Sequence, residues 1–463
     1  MIPNVAIADS IEPNHSVSQP SKMKTAQIIC FALIAIMNLS SWIDLFGVFT
    51  ELPLIIPLVP EGWTLPSMML VCNCAANLLP VLVVFLRWYQ GKKFSEIPYI
   101  YLIITVGIVS CFLLSLLWHK TVYLFGRERS VWLIGLVFTI SLLDNTSSLV
   151  FFDYMKRFRG LYLTAAFLGE GFTGTIPTIL LLLQGIGGEA ICVRTSNDTL
   201  LKPTFTEPRF SVRIYMLVIT GIIVASLLAF LLLRWTNIIS LADAAEPANF
   251  SEETELDIVR NGEEEKSAII STNESVQTPI AIVPKQTTEK TFLFLLCINV
   301  ANSLVVYGIL PSLITYIILP YGQKALYYST FLDTIGYTTV LLLSIRHPHL
   351  SMISTIAASI VSYIIAIFLI FIATQSPCPW WADTIHGGFI IIFSHLIMAL
   401  ITGYVRITIG NRIKDQWSNK NGLFYFGISV QLGSALGTVP TFLMINVFDL
   451  FVAREPCHVY CIT

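Results

Sequence analysis

The chain has 463 residues, of which 55% are hydrophobic and only 12% charged, with a mean hydropathy of +0.74 and a formal net charge of −2. Soluble domains carry about 25% charged residues, so a chain of this length with half that share cannot clothe a water-facing surface. A soluble enzyme, a nucleic-acid binder with a basic face and a disordered scaffold are excluded, and the composition is that of an integral membrane protein with many spans.

A helix needs about 20 apolar residues to cross the hydrocarbon core. The first residues, 1–25, are a polar tail with no apolar h-region of its own, which predicts no cleaved signal peptide. Windows of spanning length then follow at 26–49, 65–88, 97–117, 131–152, 162–185 and 211–235. Residues 236–290 are acidic (Glu252, Glu253, Glu255, Glu263, Glu264, Glu265) and rich in Ser, Thr and Asn, the signature of a disordered linker. Five further windows lie at 292–313, 326–345, 352–374, 385–409 and 422–450; the weakest surrounds Asp333, and the last has room for a re-entrant stretch at its start. Lipid-exposed irregular backbone is not tolerated at membrane depth, so all windows should be helical. The expected fold is all-α and polytopic, with about eleven spans. It divides into a six-helix bundle over 26–235, a cytoplasmic linker over 236–290, a five-helix bundle over 291–450 and a tail over 451–463. Two bundles around a midplane site are the layout of a carrier, although no internal repeat is strong enough to prove it.

Basic residues divide roughly two to one in favour of a cytoplasmic N-terminus; with an odd number of spans the C-terminus is then outside. The loop holding Arg127 and Arg129 votes the other way. Cys192, Cys378, Cys457 and Cys461 all fall on the outer side of this topology, an even set suited to disulfides whose pairing sequence alone does not reveal. The sequon Asn197-Asp198-Thr199 is on the same side and can carry glycan.

Polar groups recur inside the spans, where they are costly and usually face a cavity or a partner. Ser40, Asp44, Gly47 and Glu51 share one helical face; Asp144-Asn145-Thr146-Ser147-Ser148 is a polar run; Gly169-Glu170-Gly171 precedes Thr173, Gly174 and Pro177. In the second half Ser329, Asp333 and Gly336 align, as do His395, Thr402 and Arg406, and Gly427, Gln431, Ser434 and Thr438. Several have plain structural readings. Gly433 and Gly437 suit helix packing, His395 suits a satisfied interior histidine, and Asp144, Glu170 and Arg406 suit a buried charge network as well as a ligand role. The recurrence of polar faces in both halves predicts a shared polar chamber. No metal-ligand spacing, phosphate loop or nucleophilic triad stands out, so neither a cofactor nor catalysis is expected.

Trp42, Glu51-Leu52-Pro53-Leu54, Pro60-Glu61-Gly62-Trp63 and Leu65-Pro66-Ser67 resemble the first span and outer loop of the eukaryotic riboflavin transporters, a solute-carrier family. Thr146-Ser147-Ser148, Tyr162-Leu163-Thr164, Gly169-Glu170-Gly171, Leu310-Pro311-Ser312, Tyr321-Gly322, Ser376-Pro377-Cys378-Pro379, Gln431-Leu432-Gly433-Ser434, Asn446-Val447, Leu450-Phe451, Cys457 and Cys461 continue the match in order. The resemblance implies a facilitative plasma-membrane carrier of riboflavin with eleven spans and a fold similar to equilibrative nucleoside transporters. An uncharged ligand with a flat ring and a polyhydroxyl tail wants aromatic stacking and neutral hydrogen-bonding groups. Trp42, Asn145, Thr146, Ser147, Thr173 and Gln431 are therefore the candidate substrate contacts, and Glu51, Glu61 and Glu170 the gating or structural charges. The chain departs from the family pattern at Phe46, where an Asn is expected, and at Val306-Tyr307 before Gly308, where Thr-Asn is expected. Lost hydrogen-bonding groups change discrimination strongly, so Phe46 and Tyr307 join the candidates for reading the substrate. Rival readings are a carrier of another neutral heterocycle such as a nucleoside, a non-transporting receptor on the same scaffold, and, remotely, a membrane-embedded transferase.

Overall fold

In a computed structural model, the chain is described over residues 24–62, 65–124, 126–185, 191–194, 201–204, 207–245, 288–346, 350–382, 384–417 and 421–454, with 457 and 461. The N-terminal tail before Lys24, nearly all of the acidic linker and the sequon at Asn197 lie outside these residues.

The long apolar runs become helices, the one way a single segment can satisfy its own backbone in lipid. The first window is not one straight rod. Helix α1 (Thr25–Asn38) and helix α2 (Ile43–Ile55) meet at a bend of 53°. At that bend Asn38, Ser40 and Ser41 turn their side chains back to the carbonyls of Ile34, Met37 and Asn38, bonds that compete with the helical ladder. The second window has a one-residue break without such a bend: α3 (Leu65–Ala76) and α4 (Leu78–Gln90) are separated by Asn77, which donates to the carbonyls of Asn73 and Cys74, and Met68–Gln90 serves as one span. Then come α5 (Ile97–Leu117), α6 (Val131–Met155), α7 (Gly160–Gln184) and α8 (Val212–Trp235), followed by the single turn α9 (Ile238–Leu241).

Beyond the linker, α10 (Glu289–Ser303) runs into α11 (Leu310–Ile318) through a π-helical stretch, Leu304–Ile309, that contains Val306, Tyr307 and Gly308. Helices α12 (Gln323–Ser344), α13 (Met352–Thr374), α14 (Ile385–Gln416) and α15 (Gly422–Asn446) complete the chain. The last window is thus one continuous helix with no re-entrant start. Among the described residues nine helices are long and apolar enough to cross a membrane, and the bent α1–α2 pair makes ten. Helix α12 has the length, at 22 residues, but Asp333 and the Tyr, Ser and Thr residues around it dilute the hydropathy of the window 326–345.

The expected all-α class holds, and the strands are confined to connecting loops. Two small antiparallel hairpins occur, β1 (Val122–Leu124) with β2 (Arg127–Arg129) and β3 (Ile191–Arg194) with β4 (Leu201–Thr204). Both lie in loops, where short polar-rich segments gave no alternating pattern to read.

Helices α1 to α8 pack on one another, α10 to α15 do the same, and the groups meet where α7 touches α12 and α14 and where α15 touches α6 and α3. Glycine sets the closest approaches. A Cβ on Gly308 would lie 2.6 Å from the Cα of Gly437, and one on Gly433 2.7 Å from the Cβ of Ser303, so Gly433 and Gly437 serve close helix packing. One end of the molecule carries two disulfides. Cys192, after α7, is bonded to Cys457 in the C-terminal tail, and Cys378, between α13 and α14, to Cys461. All four cysteines expected on the outer side are paired, and the first bond joins the two helical groups covalently.

Candidate functional site at the seam between the bundles

The seam is built from side chains that each group extends towards the other. In α7 the sequence Gly169-Glu170-Gly171 removes bulk on both sides of a carboxylate, letting neighbours approach: a Cβ on Gly171 would stand 3.4 Å from Thr338 Oγ1 and would overlap Leu341. Glu170 Oε1 accepts from Arg406 Nη2 at 2.8 Å, with Arg406 2% and Glu170 13% exposed at the side chain. Arg406 Nη1 donates to the Tyr337 hydroxyl at 3.0 Å. The rings of Phe152, Phe167, Tyr307 and Phe426 lie 5.3–6.0 Å from the guanidinium carbon. A charge taken out of lipid and water together is tolerable only with such a set of partners. Three helices and the π-helical stretch of the second group and two helices of the first contribute to this one cluster.

On the same faces Thr175 donates to the Thr334 carbonyl at 3.0 Å and lies 2.8 Å from Thr338 Oγ1, which is 3.1 Å from the Gly171 carbonyl. Towards the end opposite the disulfides, Arg87 is paired with Asp153, donates to Asn421 Oδ1 at 2.7 Å and lies 3.8 Å from the centre of the Phe424 ring. Lys414 Nζ donates to the Lys156 carbonyl at 3.0 Å. In this conformation the bundles are therefore bonded together from mid-depth to that end.

The chain matches the sequence model described as solute carrier family 52, riboflavin transporter, over residues 26–453. It belongs to that family. It is similar to riboflavin transporter 2 of Salmo salar, 30% identical over 458 residues that cover 94% of this chain and 99% of the relative. It is also similar to human solute carrier family 52, riboflavin transporter, member 3, at 28% identity over 93% of this chain and 98% of that one. Among solved structures, the human organic anion transporter MFSD10 superposes with a TM-score of 0.54 at 9% identity, covering 92% of this chain and 94% of that one. That likeness concerns the fold alone, which is a helical membrane-transporter fold.

Within this family member the expected substrate residues are spread along the seam and the first bundle. Trp42 is half-buried and Phe46 is 42% exposed, on the open face of α2. Asn145 is buried and donates to the Asn73 carbonyl and Oδ1 at 3.1 and 3.2 Å. Thr146 returns its hydroxyl to the Leu142 carbonyl, Ser147 bonds the carbonyls of Asp144 and Ser41, and Thr173 bonds that of Glu170. Tyr307, half-buried, faces Arg406. Gln431 is buried with Oε1 lacking a hydrogen-bond partner, as is Asp144 Oδ2. Asp44, also buried, accepts at Oδ1 from the Leu45 backbone N–H at 3.1 Å. Glu51 is fully buried at the end of α2, and Glu61 accepts from the Ser130 backbone at 2.8 Å. His395 is buried 3.5 Å from Asp333 and 3.4 Å from Ser329 Oγ. Asn145 and Ser147 thus meet partners across helix contacts, whereas Thr146 and Thr173 are satisfied within their own helices. A cavity of about 440 Å³ lies elsewhere, at the ends of α6 and α8, and none of these residues lines it. Sequence reading missed Asn73, Arg87, Asn421, Tyr337 and Thr175. Arg87 sits in a basic loop edge that reads as an orientation signal, and the rest are single polar residues whose partners lie far along the chain.

Proposed function

We propose that the protein carries riboflavin across the plasma membrane by alternating access, with the two bundles as rocking units and no catalytic step. The observation that carries this reading is the family match over residues 26–453, supported by relatives named as riboflavin transporters along nearly their whole length. In the proposed topology α12 is the eighth of eleven spans, arranged six plus five. The N-terminus is cytoplasmic, and the disulfide end, with the C-terminal tail and a glycan on Asn197, is extracellular. Disulfides need an oxidising compartment, and that requirement agrees with the charge asymmetry. The bonds of Arg87 and Lys414 across the seam then close the cytoplasmic side, so the conformation faces outward. Trp42, Phe46 and Tyr307 would offer rings to the flavin. Asn145, Thr146, Ser147, Thr173 and Gln431 would offer neutral hydrogen-bonding groups as the bundles separate, the unpartnered Gln431 Oε1 first among them. Glu51, Glu61, Asp144, Glu170 and Arg406 would hold or gate the bundles. The test is uptake of radiolabelled riboflavin by vesicles holding the purified protein, with nucleosides as competitors. Uptake above empty vesicles that nucleosides leave unchanged is expected; uptake equal to empty vesicles with correctly inserted protein ends the reading.

A further inference from the structure

The cavity at the ends of α6 and α8 has no part in carrying substrate between the bundles, because it lies wholly within the first one. It holds about 440 Å³, and Arg157, Arg234, Asn237, Ser240 and Asp243 line it together with an apolar wall that includes Phe158 and Ile239. Its acidic groups are already engaged. Asp243 pairs with Arg159 at 2.8 Å, and Glu96, behind the cavity, accepts from Arg157 Nε at 3.0 Å. Arg234 is exposed and makes neither a hydrogen bond nor an ion pair among the described residues. The three guanidinium groups outnumber the two carboxylates, and the surplus charge belongs to Arg234.

The surroundings place this surplus at the edge of the lipid. Arg234 ends a membrane-crossing helix. Trp235, next to it, is 79% exposed and Leu241 71% exposed, and Trp235 Nε1 donates to the Tyr101 hydroxyl at 3.3 Å. Tryptophan anchored in this way marks the membrane–water interface. A planar guanidinium matches a phosphate with two parallel bonds, the Asn237 amide and Ser240 hydroxyl supply neutral donors, and the apolar wall suits a glycerol backbone rather than a hydrated free ion. Basic pockets between helices on the cytoplasmic side take anionic headgroups.

We propose that this cavity binds the phosphate of an anionic phospholipid from the inner leaflet, held by Arg234 with Asn237 and Ser240. The inference rests on the cytoplasmic placement of this end given above. The shared chemistry is a phosphate ester, which a soluble phosphate could also present, and the test separates the two sources. The full-length protein, purified in a neutral detergent, is melted in the presence of short-chain phosphatidylserine, short-chain phosphatidylcholine or inorganic phosphate. Phosphatidylserine should raise Tm by several degrees over phosphatidylcholine, Arg234→Gln should abolish the difference, and Arg234→Lys should retain part of it. Equal shifts from both lipids, a full shift in Arg234→Gln, or a full shift from inorganic phosphate alone would overturn the proposal. Should Arg234→Gln not purify, the double variant Asn237→Ala, Ser240→Ala is melted instead; a reduced phosphatidylserine shift supports the site and an unchanged one overturns it. The readout is binding, so failure to carry riboflavin leaves the result standing, and failure of this test leaves the uptake reading untouched.

Discussion

Removing one member of the Glu170–Arg406 pair tests how the bundles are held. Glu170→Met leaves the guanidinium of a residue only 2% exposed with the Tyr337 hydroxyl and four rings but no counter-charge, and breaking a buried pair in this way costs about 3–5 kcal/mol. Arg406→Met strands a carboxylate that is 13% exposed and also forfeits the ring contacts, each worth about 0.5–2 kcal/mol. The arginine variant should therefore be the worse by about 1–2 kcal/mol or more. The double variant Glu170→Met, Arg406→Met leaves no buried charge, and replacing such a pair by apolar groups is often neutral; it should be more stable than either single variant. Unfolding in mixed micelles across the four proteins of this cycle gives the coupling directly. Additivity within about 0.5 kcal/mol would show that the pair does not couple the bundles, and the account of the seam would fail.

Other consequences can be checked one by one. Arg87→Ala removes a charged hydrogen bond to Asn421 and a stack on Phe424; at about 1.5–3 kcal/mol it should speed maleimide labelling of a cysteine placed at Ser148 by about tenfold or more, and an unchanged rate would refute closure by this residue. Gly169→Ala places a Cβ into the Ala35 carbonyl and 2.8 Å from Asn38 Cβ, whereas one on Gly135 meets nothing within 4 Å. The first should cost about 1–3 kcal/mol and depress folded yield, the second should be neutral or slightly stabilising, and equal yields would contradict the packing. A protease site inserted in the linker should give two fragments that stay together on a non-reducing gel through Cys192–Cys457 and separate with reductant or in Cys192→Ser. Digestion with a glycosidase should shift the wild type but not Asn197→Gln, and no shift in either would remove the glycan.

Much of the fold is legible because hydropathy is additive along the chain: each window needs only its own residues, and a helix or helix pair falls on each window, with some ends running further, as at Ile55 and Gln416. The bend at Trp42 is not, since Asn38, Ser40 and Ser41 are polar residues that a window average smooths away. Helix α12 is hardest for the same reason, its Asp333 being met by His395 of α14, a contact that sequence does not display. In the candidate site, Glu170 and Arg406 stood out individually as costly charges, but their bond joins residues 236 positions apart. The same limit hid the pairing of four cysteines whose shared side of the membrane the topology had predicted. Residues such as Asn73 and Thr175 carry no signal of their own; only the helix opposite gives them a role.

The bridge from Cys192 to the C-terminal tail makes the molecule a closed ring of chain rather than two lobes on a string. A tail stitched to both lobes, through Cys457 to one and Cys461 to the other, restrains any parting of that mouth beside the stitch. If the lobes separate there, the wider gap forms on the far rim, as a stitched purse gapes away from its seam.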